Sequence, residues 1–286
     1  MIISVASGKG GTGKTTFATN LAMSLSSVQF FDCDVEEPNA NIFLHAKIKK
    51  KKNVEVQTPK IDKRKCNFCG KCADFCRFNA LAVVPSEVLV FPELCHSCGG
   101  CELVCPENAV KWKKRVIGKV ESGVSTFSFN HSSGQVDLYQ GFLNIGEAMA
   151  IPVIKAVKKH IDESRDVIID APPGTSCPVI ETVKDSDYCV LVTEPTPFGL
   201  HDLKLAIDVI RHLYIPFGVV INRDGVGDDA VERFCAKEDI PVLMKIPHSK
   251  EIAELYSQGE PFVKEDGEYQ KKFYELFERI KNGDES

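Results

Sequence analysis

The chain has 286 residues, of which 43% are hydrophobic and 26% are charged, as is usual for a globular protein of one or two domains. Its net charge of -5 argues against broad binding to nucleic acid or to an acidic membrane, because both need a basic face. No stretch reaches the ~18 apolar residues of a membrane span. The N-terminus lacks the basic region of a signal peptide, so we expect a cytoplasmic protein.

Apolar runs alternate with helical patterns along most of the chain. The first six residues predict a strand, residues 7–16 a turn, and Thr15 to about Ser26 a helix. Further strands are predicted at Val28–Phe31, Asp166–Asp170, Tyr188–Thr193, Phe217–Asn222 and Val242–Ile246, and helices at Leu200–Leu213 and Asp229–Lys237. Continuous apolar strands alternating with helices predict an α/β fold, with a mostly parallel sheet flanked by helices.

Two other segments have a clear pattern. Lys47 to Lys52 is basic except for Ile48, and we interpret it as a solvated linker, with a docking patch for an acidic partner as the alternative. Asp266–Lys281 predicts an amphipathic helix that packs on the core. The alternative, a helix on a membrane surface, would need a more basic polar face. The apolar face of this helix consists of Phe273, Leu276, Phe277 and Ile280.

A glycine-rich loop lies between the first strand and the first helix. The residues that match the P-loop pattern G-x-x-x-x-G-K-S/T are Gly8, Lys9, Gly10, Gly11, Thr12, Gly13, Lys14 and Thr15, followed by Thr16. In such a loop, backbone N–H groups surround phosphate oxygens at a helix N-terminus. Lys14 would reach the β- and γ-phosphates, and the Thr15 hydroxyl would bind Mg²⁺. The sequence therefore predicts a site for ATP and Mg²⁺.

Lys9 is a second lysine inside this loop. With it, the loop resembles the deviant Walker A motif of the MinD/ParA/nitrogenase iron protein superfamily. In that superfamily the additional lysine reaches across a dimer to the partner's nucleotide. The resemblance implies a homodimer, or a heterodimer with a paralogous ATPase. A solvated side chain is the alternative interpretation of Lys9.

The resemblance extends to positions that follow three other apolar strands. Asp34 matches the second acidic motif, where it would orient the attacking water and lie at Mg²⁺. Asp170 and Gly174 match switch II, with Asp170 near Mg²⁺ and Gly174 near the γ-phosphate. Asn222 and Arg223 match the adenine-recognition position. Taken singly, an aspartate at a strand end is often a cap, and Pro-Pro-Gly is often a turn. The resemblance implies four catalytic residues: Lys9, Lys14, Asp34 and Asp170.

Eight of the 12 cysteines form an internal repeat. Cys66, Cys69, Cys72 and Cys76 recur 29 residues later as Cys95, Cys98, Cys101 and Cys105. Because cytosolic thiols are kept reduced, clustered cysteines indicate metal ligands in preference to disulfides. The spacing C-x2-C-x2-C places three thiolates on one loop, which suits three irons of a 4Fe–4S cluster. Zinc, which more often uses two separated C-x2-C units, and a disulfide scaffold are the alternatives.

The repeat resembles bacterial two-cluster ferredoxins, in which the fourth ligand of each cluster comes from the other motif. The resemblance implies a first cluster on Cys66, Cys69, Cys72 and Cys105. It implies a second cluster on Cys76, Cys95, Cys98 and Cys101. Arg77 replaces the proline that usually follows the fourth cysteine, a change that can alter the local turn and the cluster potential. We predict an inserted ferredoxin module at residues 60–112 and a discontinuous ATPase domain at residues 1–59 and 113–286.

Four cysteines lie outside the repeat. Cys33, Cys189 and Cys235 are predicted to be core residues. Cys177 lies seven residues after Asp170, where the nitrogenase iron protein places a cluster-ligating cysteine. Residues 120–123 hold no counterpart of that protein's other ligand. We therefore interpret Cys177 as a thiol near the dimer seam, redox-active or structural, with a shared cluster as the alternative.

Together these motifs predict an ATPase with Mg²⁺ and two 4Fe–4S clusters, and they allow three functions. The first is nucleotide-gated electron transfer with a redox partner. The second is an ATP-dependent assembly or carrier protein for iron–sulfur clusters, although the C-x2-C of the related carriers is missing from the C-terminal half. The third is a positioning ATPase of the MinD/ParA type, for which a basic amphipathic helix is missing. Eight ferredoxin-type ligands favour electron transfer, because a carrier needs a labile site.

Overall fold

The computed structural model describes residues 1–129 and 132–283. The strands are β1 (Ile2–Ala6), β2 (Ser27–Asp32), β3 (Lys47–Ile61), β4 (Leu81–Val84), β5 (Glu87–Val90), β6 (Val110–Phe129), β7 (Ser132–Leu143), β8 (Val167–Asp170), β9 (Tyr188–Thr193), β10 (Phe217–Asp224) and β11 (Val242–Pro247). The helices are α1 (Lys14–Met23), α2 (Ala40–Leu44), α3 (Lys71–Phe75), α4 (Gly100–Leu103), α5 (Ile151–Lys158), α6 (Cys177–Val183), α7 (Pro197–His212), α8 (Ala230–Lys237), α9 (Lys250–Ser257) and α10 (Gly267–Asn282). Single 3₁₀ turns lie at Pro92–Leu94 and Phe262–Lys264.

Within the described residues, nine strands form one sheet in the order β11-β10-β9-β1-β8-β2-β7-β6-β3. All neighbouring pairs from β11 to β7 are parallel, whereas β7–β6 and β6–β3 are antiparallel. The central strands are buried on both faces, as continuous apolar runs such as Val167-Ile168-Ile169 require. The predicted α/β fold, with a mostly parallel sheet flanked by helices, is confirmed.

The predicted elements of the α/β part lie where the sequence placed them, with shifts of a few residues at their ends. The start of α7 moves from Leu200 to Pro197, and α1 ends at Met23 and not near Ser26. The backbone N–H of Ser24 donates to Leu21 O at 3.1 Å, and its hydroxyl donates to Asn20 O at 2.9 Å. These bonds close the last helical turn, so the chain can enter β2 at Ser27.

The basic run from Lys47 to Lys52 belongs to a strand, so its interpretation as a linker is wrong. It forms the first part of β3, the last strand in the order of the described sheet, and Lys51 lies 3.0 Å from Glu121 on β6. The run lacks the alternation of apolar and polar residues that indicates a strand, because only Ile48 is apolar. Lysines on an edge strand hinder pairing with another sheet, which explains a strand of this composition here.

Helix α10 covers the sheet face that also carries α1, as the predicted amphipathic helix requires. The Phe273 ring packs on Phe17 of α1 with ring centroids 5.3 Å apart. The buried residues of the predicted apolar face are Phe273, Leu276, Phe277 and Ile280. Core packing of this helix is therefore confirmed. In residues 1–129 and 132–283, no helix is long and apolar enough to cross a bilayer.

The cysteine-rich segment is carried by a two-stranded ribbon. Strand β7 pairs with β6 from Gly118 onward, so the part of β6 before Gly118 pairs only with β3 among the described residues. The ribbon ends where Ile61 pairs with Val110. The segment between these two residues contains α3, β4, β5 and α4 and has a small apolar core of its own.

Candidate functional site

The P-loop connects β1 to α1 at the carboxyl edge of the parallel strands. Gly11 and Gly13 have φ angles of 78° and 90°, which glycine adopts without strain. A Cβ on Gly13 would lie 2.1 Å from Nδ2 of Asn222, so this position also has no room for a side chain. The first turn of α1 contains no acidic residue. Its free N–H groups therefore form an anion site without a competing carboxylate.

Four of the predicted site residues meet at the start of α1. The Lys14 ammonium lies 2.6 Å from Oδ1 of Asp170 and 3.9 Å from Oδ2 of Asp34. The Thr15 hydroxyl donates to the other oxygen of Asp170 at 2.6 Å. Burial lowers the pKa of Lys14, but Asp170 and Asp34 outweigh this effect and raise it above its ordinary value. A threonine hydroxyl beside carboxylates provides the oxygen ligands that Mg²⁺ prefers.

Asp32 fixes the loop that carries Asp34. Its carboxylate accepts hydrogen bonds from the backbone N–H groups of Asp34, Asn39 and Ala40, at 3.1, 3.0 and 3.0 Å. Burial, together with the charge of Asp170, raises the pKa of Asp32 to about 8. Burial also raises the pKa of Asp34 to about 6. The ammonium of Lys14 thus faces three carboxyl groups, and a divalent cation bound there would stabilise the ionised forms of Asp32 and Asp34.

The switch II segment is anchored to the P-loop at two points. Asp170 reaches it through the side-chain contacts with Lys14 and Thr15, and the N–H of Gly174 donates to Ser7 O at 3.0 Å. Gly174 has a φ of 94°, which explains the glycine at this turn. Gly174 therefore lies beside the start of the P-loop, and its proximity to a γ-phosphate stays a prediction.

Asn222 and Arg223 lie at the carboxyl end of β10, facing the P-loop. The Asn222 amide donates to Thr12 O at 2.8 Å and so fastens the P-loop to β10. The Arg223 guanidinium donates to Oε2 of Glu194 at 3.1 Å. Contact of either residue with an adenine stays a prediction.

Lys9 is paired within its own chain. Its ammonium donates to Oε1 of Glu194, which follows directly after β9. The sequence interpretation missed Glu194. The signal was present, because an acidic residue at the carboxyl end of a buried strand is the same pattern that indicated Asp170 at the end of β8.

The eight cysteines of the repeat line two cavities, four to each. One is lined by Cys66, Cys69, Cys72 and Cys105. The other is lined by Cys76, Cys95, Cys98 and Cys101. Among the described residues, no three Cys, His, Asp or Glu side chains converge as they would around a single metal ion. The thiols surround a space, which suits a polynuclear group better than zinc with Zn–S bonds of about 2.3 Å.

The two halves of the repeat have the same local geometry. The thiols of Cys76 and Cys105 each accept the backbone N–H of the residue four positions later, at 3.4 and 3.3 Å. Asn79 and Asn108, three positions after these cysteines, have φ angles of 51° and 46°. The turn is therefore the same in both halves, and the expectation that Arg77 alters it is wrong.

The chemistry of the cavities fits a 4Fe–4S cluster. Burial and the neighbouring thiols Cys95 and Cys98 raise the pKa of Cys101 to about 11. The Cys101 thiol is thus protonated at neutral pH unless a metal charge stabilises its thiolate. Apolar side chains such as Phe75 and Trp112 form much of the remaining wall of the second cavity. The donor set and its surroundings accordingly suit a cluster held by four thiolates.

The other cysteines divide into buried and exposed ones. Cys33, Cys189 and Cys235 are buried, which confirms the prediction that they are core residues. Cys177 is exposed and is the first residue of α6. Residues 120–123, compared above with the second ligand of a bridging cluster, are consecutive residues of β6. The position of Cys177 at a dimer seam stays a prediction.

Comparison with known proteins agrees with this geometry. The family profile for the CobQ/CobB/MinD/ParA nucleotide binding domain matches residues 3–262. The chain belongs to this family. An uncharacterised protein of Methanocaldococcus jannaschii is 31% identical over 277 residues, with 92% of each protein covered. The iron–sulfur cluster carrier protein of Pyrococcus horikoshii is 25% identical over 300 residues, which cover 98% of this chain and 85% of that protein.

Among solved structures, the septum site-determining protein MinD of Pyrococcus horikoshii, complexed with Mg-ADP, has a TM-score of 0.57 at 20% identity. The match covers 98% of this chain and 95% of that one, and it shows a shared fold. Family membership and the P-loop together make this chain a P-loop ATPase of the MinD superfamily.

Proposed function

We propose that this MinD-superfamily ATPase couples its nucleotide state to electron transfer between two 4Fe–4S clusters and a redox partner. The main support is the division of the eight repeat cysteines into two groups of four around separate cavities. When bound there, the clusters would supply one-electron transfer. Each cavity includes one exposed thiol, Cys69 or Cys98, so each has a side that a partner protein can approach.

The nucleotide site would work through side chains that the fold already holds in place. Lys14 neutralises phosphate charge, and Asp34, on the loop fixed by Asp32, accepts a hydrogen bond from the attacking water. Thr15 and Asp170 would hold Mg²⁺, which supplies further charge neutralisation at the phosphates. In this proposal Lys9 acts in an ATP-dependent dimer, formed with a second copy or with a paralogous ATPase.

A packed apolar cluster joins the nucleotide site to the ribbon that carries the cysteines. Val35, next to Asp34, is 2% exposed and lies in one buried cluster with Val54 of β3 and Ile117 of β6. Because close-packed interiors transmit small displacements, movement of the Asp34 loop would shift these strands. The ribbon would then move the cysteine cavities relative to the sheet.

A second candidate, an ATP-dependent carrier or assembly protein, is favoured by the relatives. Proteins named iron–sulfur cluster carrier protein from Pyrococcus abyssi and Aquifex aeolicus are 26% and 24% identical to this chain. The two exposed thiols would serve cluster release as well as electron transfer. The positioning function has weaker support, since the likeness to MinD structures concerns the fold alone.

The deciding experiment uses the full chain purified without oxygen. Iron and sulfide analysis should give about eight irons per chain, as two cubane clusters require. Redox titration followed by EPR should then show cluster potentials that differ between MgATP and MgADP. The Lys14→Ala variant should show no such difference. The carrier function would be favoured if the cluster potentials did not respond to nucleotide and the chain transferred a cluster to an apo-ferredoxin in an ATP-dependent reaction. Zinc in place of iron would contradict both functions.

A further inference from the structure

Glu194 connects two residues that the superfamily resemblance assigns to the nucleotide. One carboxylate oxygen accepts the Lys9 ammonium, and the other accepts the Arg223 guanidinium at 3.1 Å. Lys9 lies in the P-loop, and Arg223 lies near the carboxyl end of β10, the strand next to β9. Neither cation forms an ion pair with another acidic side chain in the described part of the chain.

The carboxylate sits on a rigid segment. The Glu194 side chain is 13% exposed, and the Thr196 hydroxyl donates to Oε1 at 3.4 Å. The backbone N–H of Thr196 donates to Glu194 O at 2.8 Å. A Cβ on Gly199 would lie 2.3 Å from this same carbonyl, so the segment packs closely on the start of α7. Glu194 therefore cannot follow Lys9 if the lysine moves.

Lys9 has two competing acceptors in the proposed dimer. Within the chain it binds one carboxylate, and its side chain is 30% exposed, so the ion pair is partly open to solvent. A nucleotide on a partner subunit would offer phosphate oxygens that carry more negative charge than one carboxylate. An ordinary surface ion pair is the simpler interpretation, but it does not explain why the same rigid carboxylate also binds Arg223.

We propose that Glu194 is a positioning residue that holds Lys9 in a resting monomer. ATP-dependent dimerisation then requires Lys9 to exchange the Glu194 carboxylate for phosphate oxygens of the partner's nucleotide. This inference rests on the ATP-dependent dimer of the proposed function and adds the group that opposes it.

The test compares the wild-type chain with Glu194→Gln, which keeps the side-chain shape and removes the charge. Both proteins are purified without oxygen and titrated with a slowly hydrolysed ATP analogue and Mg²⁺. The monomer–dimer equilibrium is followed by analytical ultracentrifugation. Because a partly exposed ion pair stabilises only modestly, the dimer should form at about threefold to fivefold lower protein concentration in Glu194→Gln.

Lys9 provides the matched control. In a Lys9→Ala background, Glu194→Gln should have no further effect on dimerisation, because no ammonium remains to be released. A purely structural role of Glu194 would instead change dimerisation equally in both backgrounds. Thermal unfolding of all four proteins checks that the folded state is retained.

If the wild-type chain dimerises and Glu194→Gln dimerises equally or more weakly, the role of Glu194 is overturned and the proposed function is left intact. If both proteins stay monomeric at saturating nucleotide, the dimer of the proposed function is itself contradicted, and the role of Glu194 with it. A variant that dimerises where the wild-type chain does not would support the inference strongly.

Discussion

The backbone N–H of Leu143 donates to Val35 O at 2.8 Å, so the loop that carries Asp34 is tied to the end of β7. Strand β7 pairs with β6, and β6 continues into the cysteine module. The contact is tight, since a Cβ on Gly141 would lie 2.6 Å from Cγ1 of Val35. A hydrogen bond and a packed side chain thus connect the nucleotide side of the sheet to the ribbon.

Truncation of this link should uncouple the two sites. In Val35→Ala the loop loses side-chain packing against Gly141 of β7 and within the buried cluster that includes residues of β3 and β6. The carboxylate of Asp34 and its anchor Asp32 are unchanged. We expect MgATP to bind with near-normal affinity and the nucleotide-dependent difference in cluster potential to shrink. Nucleotide titration and EPR-monitored redox titration measure these two effects separately.

The control for this prediction is Val231→Ala. Val231 is 1% exposed and belongs to the apolar cluster on α7 and α8, away from the ribbon. The Val231→Ala substitution removes the same methyl groups as Val35→Ala and should lower the free energy of unfolding by a similar amount, roughly 1–2 kcal/mol. The coupling route would be contradicted if the cluster potentials of Val35→Ala still responded to nucleotide as in the wild type. It would also be contradicted if both variants reduced this response equally.

Pairs of cysteine substitutions should distinguish interleaved from sequential cluster ligands. Cys66 and Cys105 line the same cavity, whereas Cys66 and Cys76 line different cavities. We expect Cys66→Ala with Cys105→Ala to keep about four irons per chain, because one 4Fe–4S cluster remains complete. Cys66→Ala with Cys76→Ala should keep almost none. Sequential ligation would give the reverse result, and Cys177→Ala should leave the iron content unchanged.

Much of the fold could be predicted from local pattern. Strands such as β9, which is buried along its whole length, have continuous apolar runs that no other element of this length explains. The P-loop and the cysteine repeat were also visible, because each needs fixed residue types at fixed spacing. For these two features, the residue types and spacing that the chemistry requires are themselves the pattern that can be read in the sequence.

The features that the sequence did not reveal depend on partners far along the chain. The position of Glu194 after a buried strand was a visible signal, but its role depends on Lys9, which lies 185 positions earlier. The strand character of Lys50 and its neighbours comes from pairing with β6 and not from apolar alternation. The anchoring role of Asp32 was also not visible in the sequence. Its partners are the backbone N–H groups of Asn39 and Ala40, whose direction depends on the loop.

Lys14→Ala should affect both activity and stability. The substitution leaves Asp170, which is fully buried, without the ammonium 2.6 Å from its carboxylate. Removing one partner of a buried ion pair costs about 3–5 kcal/mol, and ATP hydrolysis should fall by at least about 10²-fold. Urea unfolding and phosphate release measure the two effects. In Lys250→Ala, which alters an exposed lysine that pairs with Glu254, neither quantity should change measurably. A Lys14→Ala protein as stable as the wild type would contradict a stabilising role of this ion pair.

The last prediction concerns a buried ion pair at the base of the ribbon. Arg115 of β6 donates to Glu147, which lies between β7 and α5, and the two side chains are only 16% and 10% exposed. Within the described part of the chain, neither Nε nor Nη2 of Arg115 has a hydrogen-bond partner, so the pair compensates its burial incompletely. Glu147→Gln should therefore destabilise the fold by about 1–3 kcal/mol, because it leaves a buried charge unpaired.

Two further variants show whether this pair stabilises the fold or only fixes the ribbon. Glu55→Gln removes the partner of Lys114 on the same ribbon. Since that pair is exposed, the free energy of unfolding of the Glu55→Gln protein should not differ measurably from that of the wild type. The double variant Arg115→Met with Glu147→Leu removes both charges and keeps apolar volume, so it should recover most of the stability lost in Glu147→Gln. If the double variant is stable but its cluster potentials no longer respond to MgATP, the pair serves to orient the ribbon. A double variant less stable than Glu147→Gln would instead show that the ion pair itself stabilises the fold.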